Sequence, residues 1–145
     1  MNHQQNEVIQ LLASVQGLKF TGFDSEFTRC YPPADAWRAV ASMDSSAFDT
    51  INGDLPEEDL SRWLTGIVSR EIRADRLLLS VGGQGSLPWA EIELLESTRA
   101  LVTLWLKADS REILFADEGA GIILGLTCEE YTYEARKLLL RKKDE

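Results

Sequence analysis

The sequence predicts a single α+β domain, residues 1–145, in which a mainly antiparallel β-meander fills the C-terminal half and amphipathic helices flank it. Apolar residues recur at helical spacing near the start of the chain and again after Pro56. From residue 76 onward, short apolar or alternating runs are separated by glycines and turn residues, which is typical of consecutive strands. A chain of 145 residues buries about 70% of its unfolded surface, so one core suffices without a disulfide or a metal.

Four segments have the features of helices: residues 5–16, 34–43, 56–72 and 128–141. In the first, the apolar residues fall on one helical face, and Gly17 is expected to end the helix. The third begins at Pro56 and carries acids in its first turn, where negative charge interacts favourably with the helix dipole. The fourth begins with Thr127-Cys128-Glu129-Glu130, which matches the S/T-x-x-E capping box.

The remaining regular segments are predicted strands: 18–23, 26–31, 76–81, 89–96, 100–107, 112–117 and 121–126. The first two flank Asp24-Ser25 and are expected to form a hairpin, and the last five are expected to form the meander. Apolar and acidic residues alternate in 90–94, which is typical of a half-buried strand, although a helix over 87–97 is an alternative. The segment 44–59 is predicted to be a loop that leads into the helix from Pro56.

The segment 115-FADEGAGIILGLTCEEY-131 contains three glycines, a feature that nucleotide-binding loops share. A dinucleotide-binding fingerprint requires G-x-G-x-x-G followed by a helix. Here β-like residues follow Gly119 and Gly121, and the third glycine, Gly125, comes one position late. The preceding Asp117 and Glu118 would repel a phosphate. The sequence therefore predicts a hairpin turn whose glycines supply positive φ, and no nucleotide cofactor.

Metal and thiol chemistry are also not predicted. The acid-rich stretch 49–60 places Ile51, Gly53 and Leu60 where an EF-hand needs oxygen ligands, and no His/Cys set suits zinc. The two cysteines, Cys30 and Cys128, belong to no CxxC pattern and are predicted to be buried, reduced thiols. We therefore expect no metal, no cofactor and no enzymatic activity, with catalysis by carboxylates alone as the remaining alternative.

The charge balance restricts the partners. The chain has 24 acidic and 15 basic residues, a formal net charge of −9. Such a surface repels phosphate backbones and anionic membranes, so neither nucleic acid nor a membrane is expected to bind directly, and a basic protein partner is favoured. The sequence contains no apolar stretch of bilayer length and begins without a secretory signal pattern, which predicts a cytoplasmic location.

Acidic residues are concentrated in two windows that contain no lysine or arginine, between Arg38 and Arg62 and between Arg111 and Arg136. Apolar residues such as Leu55 and Tyr131 lie within them and are candidate anchors inside an acidic rim. Solvated loops and helix faces would give the same pattern without any partner. The candidate partner-binding residues are Asp44, Asp49, Asp54, Glu57, Glu58, Asp59, Asp117, Glu118, Glu129 and Glu130.

In size, acidity and lack of active-site motifs the chain resembles the immunity proteins of bacterial contact-dependent and related toxin systems. This resemblance covers general character along the whole chain and transfers no site residue. It implies an antitoxin that binds a cationic toxin domain, such as a nuclease, and covers its active or substrate-binding surface.

An acidic secretion-type chaperone that binds an effector segment is the alternative. Helices and strands are expected to be interleaved in such a chaperone, whereas here the predicted helices come early and the meander late. The sequence leaves the oligomeric state open.

Overall fold

The computed structural model describes residues 2–42 and 47–140, which form one α+β domain. The helices are α1 (His3–Ala13), α2 (Glu26–Cys30), α3 (Pro33–Ala41), α4 (Glu57–Glu71) and α5 (Arg99–Lys107). The strands are β1 (Leu18–Phe23), β2 (Ala47–Asn52), β3 (Arg76–Val81), β4 (Ala90–Leu94), β5 (Ile113–Asp117), β6 (Ile122–Cys128) and β7 (Thr132–Leu139). In the part of the chain that the structure describes, no helix has both the length and the apolar character needed to cross a bilayer.

A single antiparallel sheet contains these seven strands, in the order β1-β4-β3-β5-β6-β7-β2. The predicted antiparallel sheet is therefore confirmed, and two strands from the N-terminal half, β1 and β2, form its edges. The hairpin turn predicted at Gly119–Gly121 joins β5 to β6, and Gly121 has a φ of +73°. That conformation suits glycine because a Cβ atom would be strained there.

Helices α1, α4 and α5 cover one face of the sheet and enclose the larger core. Alternate strand residues point into it, among them Leu77 and Leu79 of β3 and Phe115 of β5. Leu64 and Ile67 of α4 meet them with almost no exposed surface. The apolar residues that recur every 3.6 positions in the helices thus face those that recur every second position in the strands, and together they form one apolar layer.

Helices α2 and α3 cover part of the opposite face and enclose a smaller core. Ala36 and Val40 of α3 pack against strand residues of the other parity, including Leu78 and Leu114, and against Trp89. The domain is therefore a three-layer structure with the sheet in the middle.

Three predicted elements have the wrong type. Residues 26–31 do not form a strand: Asp24 accepts a hydrogen bond from the Thr28 backbone N–H (3.0 Å) and so favours helix α2, while β1 pairs with β4. Residues 100–107 form α5, because a short apolar run fits a buried helix as well as a strand. Residues 128–141 do not form a helix, since β7 pairs with β6 on one side and β2 on the other.

The predicted loop at 44–59 also requires correction, because it contains strand β2. Elsewhere the predictions are confirmed: helices form at α1, α3 and α4, and β4 is the predicted strand and not the alternative helix over 87–97. The order of elements is interleaved, with α5 between β4 and β5, so helices and strands are not segregated along the chain.

The prediction that the cysteines are buried is wrong, because the free thiols of Cys30 and Cys128 are both exposed. Cys30 ends the exposed helix α2, which has no buried residue, and Cys128 ends β6 at the rim of the sheet. Their positions at the ends of elements explain the exposure that composition alone did not indicate.

Candidate functional site

Pairing of β2 with β7 brings the two acidic windows together at one end of the sheet. Asn52 lies opposite Thr132 in the register, and beyond this pair the Gly53 backbone N–H donates to the Tyr131 carbonyl oxygen at 2.8 Å. The β2–α4 turn therefore lies beside the β6–β7 turn, although many residues separate them in sequence. A prediction from sequence cannot make this connection, because it depends on which strands pair.

Each of the two turns presents an apolar side chain between acids. Glu129 and Thr132 close the β6–β7 hairpin, which leaves Glu130 and Tyr131 at its tip, and the Tyr131 side chain is 69% exposed. In the neighbouring turn, Leu55 is 39% exposed. We use the name acidic turn surface for Asp54, Leu55, Glu57, Glu58, Glu129, Glu130 and Tyr131, all of which are exposed.

The Arg111 side chain connects the elements that carry the acidic turn surface. Its Nη2 donates to Glu57 Oε1 at 2.9 Å, and its Nη1 donates to the Tyr133 hydroxyl at 3.4 Å. Its guanidinium carbon lies 5.9 Å from the ring centroids of both Trp105 and Tyr133, within the range of cation–π attraction. Arg111 thus connects the start of α4 to β7 and fixes the position of the β2–α4 turn relative to the β6–β7 turn.

The backbone around Arg111 is held in an uncommon conformation. Ser110 and Arg111 have φ of +61° and +52°, values that L-residues other than glycine seldom adopt. The Trp105 indole N–H donates to the Arg111 carbonyl oxygen at 2.7 Å and stabilises this turn. Residues with such strained backbone conformations are concentrated at functional sites. The position of this turn directly beside the acidic turn surface is therefore consistent with a functional role for the surface.

Glu112 fixes the other side of the hairpin. Its Oε2 accepts the Cys128 backbone N–H at 3.0 Å. Partial desolvation of the sulfur, followed by the nearby charges of Glu112 and Glu129, raises the pKa of the Cys128 thiol, and the Arg111 guanidinium partly opposes this rise. The thiol is therefore protonated at neutral pH, which makes it a weak nucleophile.

Outside the acidic turn surface, the first window has two further described candidate acids, Asp49 and Asp59, and both form contacts within the protein. Asp49 accepts a hydrogen bond from the Trp63 indole N–H at 3.1 Å and so connects β2 to α4. Asp59 pairs with Arg62 at 3.4 Å, and Glu58 approaches the same guanidinium at 3.5 Å. The Glu58 side chain is 84% exposed, so water screens this pair strongly. Asp44 lies outside the described residues.

Asp117 does not belong to any exposed acidic surface, in contrast to its selection from the sequence. It is fully buried, and its carboxylate accepts the backbone N–H groups of Arg73 (2.9 Å), Ala74 (3.0 Å) and Ala120 (3.0 Å). These bonds connect the β5–β6 turn to the segment before β3. Asp117 is therefore a structural carboxylate.

Glu118 lies in the β5–β6 turn, and the acidic turn surface lies at the other end of β6. The acids of the second window are therefore divided between two ends of the sheet. Burial, and then the charges of Asp24, Glu26 and Glu91, raise the pKa of Glu118. This second acidic cluster is assembled from β4, the α2 region and a turn. No window of sequence identifies it, because its members are far apart along the chain.

The chemistry of the acidic turn surface suits cation binding. Carboxylates at its rim attract ammonium and guanidinium groups, while Leu55 and Tyr131 offer apolar area that a partner can bury. Within residues 2–42 and 47–140, no group of three or more His, Cys, Asp or Glu side chains is arranged to hold a metal ion.

Comparisons with known proteins give no further identification. No protein-family model matches the chain, and no curated protein or solved structure shows a significant match to it.

Proposed function

We propose that this protein is an antitoxin of the immunity-protein type, acting in the cytoplasm, which binds a cationic toxin domain through the acidic turn surface. A nuclease domain is the expected toxin, because its own active surface is built to hold phosphates and is therefore positively charged. The antitoxin would cover that surface and exclude the nucleic acid. The protein itself would contribute no catalysis.

The observation that carries this proposal is the joining of two acidic windows into one surface with apolar residues between the acids. Exposed rim charges act mainly on the rate of association, since they steer the partner before contact. Leu55 and Tyr131 would supply buried apolar area after contact, and tyrosine is enriched among the residues that dominate binding energy. Steering and anchoring groups thus occupy the same end of the molecule.

In this proposal the Arg111 contacts fix the arrangement of the two turns. Because Arg111 holds Glu57 and Tyr133 on neighbouring elements, it keeps the two turns in one arrangement before a partner arrives. A prearranged surface loses less side-chain entropy on binding than a mobile one.

The secretion-type chaperone is a second candidate, and one observation favours it. Helices and strands alternate along the chain, which is the order expected of such chaperones and which removes the argument against them from sequence. The two functions predict different neighbours: a gene for a toxin beside an antitoxin gene, and a gene for a secreted effector beside a chaperone gene.

The direct test is survival of cells that express the neighbouring toxin together with this protein. We expect wild-type protein to protect and the Asp54→Lys/Glu58→Lys variant to protect poorly. In vitro, the variant should associate about ten times more slowly, and its association rate should depend less on salt, because the reversed charges no longer attract the toxin.

The matched control is Glu26→Lys/Glu118→Lys, which makes the same change in net charge at the second acidic cluster. It should protect nearly as well as wild type if the acidic turn surface is the interface. Equal protection by both variants would contradict an acidic interface at this surface. Failure of wild-type protein to neutralise the toxin, together with stable binding of a secreted effector, would favour the chaperone.

A further inference from the structure

Strand β2 ends the sheet, and among the described residues only β7 pairs with it. The hydrogen bond from Gly53 N–H to the Tyr131 carbonyl oxygen identifies 53 and 131 as a bonded pair of the antiparallel ladder. Bonded and non-bonded pairs alternate, so Ile51 directs its backbone groups toward β7, whereas Thr50 and Asn52 direct theirs away. Within the described part of the chain, the N–H and carbonyl of Thr50 and the N–H of Asn52 therefore lie along the edge that no strand covers, whereas the Asn52 carbonyl accepts the Leu55 N–H at 3.3 Å.

The opposite edge of the sheet is better protected. In β1 the register shifts between Phe20 and Gly22, where Gly22 has a φ of +140°, and Lys19 lies on the same strand. Bulges and lysines at edges discourage the addition of further strands. In β2 the register shifts between Ala47 and Asp49, but the run from Asp49 to Asn52 is regular and contains neither lysine nor proline.

The charges near the β2 edge select one kind of occupant. Asp49 begins the regular run and Asp54 follows shortly after its end, and no basic residue occurs in sequence between Arg38 and Arg62. Lys137 approaches the Phe48 ring at the far end of the strand, but it is paired with Glu71 at 2.8 Å. A second copy of this chain would bring acids against acids, whereas a basic segment would complement them.

We propose that the β2 edge binds an extended segment rich in lysine or arginine, contributed by the partner, as an eighth strand of the sheet. Thr50 would donate and accept the central backbone hydrogen bonds, and basic side chains at alternate positions would lie near Asp49 and Asp54. The edge is continuous with the acidic turn surface through Gly53 and Asp54. The identity of the partner rests on the proposed function, and this inference adds its mode of recognition.

The test uses ¹⁵N-labelled protein and a synthetic peptide of alternating lysine and valine. We expect saturable shifts along β2 and exchange of the Thr50 amide hydrogen slowed by about tenfold or more, since a new hydrogen bond protects it. The Ile51 amide, already directed toward β7, should change little. A peptide of alternating glutamate and valine should not bind, and N-methylation of every backbone amide of the basic peptide should abolish binding.

Absence of saturable binding up to millimolar basic peptide would overturn the proposal, as would shifts confined to other elements or self-association of the protein through β2. Equal binding of the N-methylated peptide would also overturn it, because backbone pairing would then be unnecessary.

A variant separates this inference from the proposed function. Thr50→Pro removes the outward N–H, a substitution that edge strands accommodate, and Thr50→Val is its control with an intact backbone. We expect Thr50→Pro to weaken peptide binding at least tenfold with an unchanged melting temperature, and Thr50→Val to bind as wild type. If Thr50→Pro does not fold, the N-methylated peptide decides.

The toxin experiment then distinguishes the two failures. Equal neutralisation of the toxin by wild type and a folded Thr50→Pro variant would refute the β2 edge and leave the antitoxin function standing. Failure of wild-type protein to neutralise the toxin, with peptide binding at β2 intact, would refute the function and leave the edge standing.

Discussion

The acids of the two base-free windows occupy three different environments. Asp117 is buried and accepts backbone N–H groups, and Asp49 is bonded to the Trp63 indole. Glu118 lies among other carboxylates, and Glu130 is exposed at a hairpin tip. Acids that look equivalent in sequence are thus buried hydrogen-bond acceptors, members of a carboxylate cluster or exposed side chains, according to what surrounds them.

For Asp117, we expect substitution by alanine to destabilise the protein. Asp117→Ala leaves three backbone N–H groups without their acceptor, and unpaired buried donors are costly. The free energy of unfolding should fall by about 3 kcal/mol. Urea denaturation measures this, and Asp54→Ala at the exposed turn is the control, with a change within about 0.5 kcal/mol. An unchanged midpoint for Asp117→Ala would contradict the structural role.

For Glu118, we expect removal of its charge to stabilise the protein at neutral pH. Its pKa is raised in the folded state, so the folded protein favours the protonated form, and this contribution to stability is lost as pH rises through the folded pKa. Glu118→Gln mimics the protonated form. It should therefore raise the melting temperature at pH 7 and have no effect below the ordinary pKa of 4.5.

The gain from Glu118→Gln should be at most about 1 kcal/mol, because water screens exposed charges, and salt should reduce it. Glu58→Gln makes the same change in charge at the start of α4, where a carboxylate interacts favourably with the helix dipole, and should give no gain. A gain of the same size from both variants would indicate an effect of net charge alone.

At the scale of elements, α3 approaches the sheet where a glycine removes the side chain. A Cβ atom at Gly125 of β6 would lie 3.0 Å from Val40 Cγ1 and 3.1 Å from Leu114 Cδ2. Both neighbours are fully buried and have little room to move. The close contact of helix and strand therefore depends on the absence of a side chain at this position.

We expect Gly125→Ala to destabilise the protein by about 1–3 kcal/mol through overpacking. In a Val40→Ala background the cost of adding the methyl group should fall, because two of the three close contacts are made by the Val40 methyl groups and only Leu114 Cδ2 remains. A double-mutant cycle from urea denaturation measures this coupling. Simple additivity of the two substitutions would show that α3 is not held against Gly125.

At the scale of the whole molecule, one sheet is shared by two helical layers. Adjacent residues of β3, Leu78 and Leu79, point into opposite cores, so neither core can form without the same strands. Trp37 and Trp89 contact the smaller core, whereas Trp63 and Trp105 contact the larger one. The four tryptophans therefore divide into one pair for each layer.

We expect the two layers to unfold in a single cooperative transition. The Trp37→Phe/Trp89→Phe variant reports on the larger core by fluorescence, and Trp63→Phe/Trp105→Phe reports on the smaller one. In each variant the fluorescence and circular dichroism curves in urea should coincide, which is the mark of two-state unfolding. A fluorescence transition that precedes the loss of secondary structure in either variant would show that its layer separates first.

The sequence alone determined the fold class, the elements with strong periodicity and the turn at Gly119–Gly121. Helices α1, α3 and α4 and the strands β3 to β6 follow from local spacing, and local spacing is a property of sequence. The sequence alone also determined the net acidity, and it showed that the glycine-rich segment does not match a nucleotide-binding pattern and that the acid-rich segment does not match an EF-hand pattern.

Tertiary structure alone decided the type of α5 and β7, the burial of Asp117 and the meeting of the two acidic windows. The short run 100–107 fits helix or strand, and its burial in the larger core beside α4 selects the helix. The local capping pattern at 127–130 is overridden because β7 satisfies its backbone on two neighbouring strands. Which strands pair depends on the packing of the whole chain, so the acidic turn surface can be identified only from the folded structure.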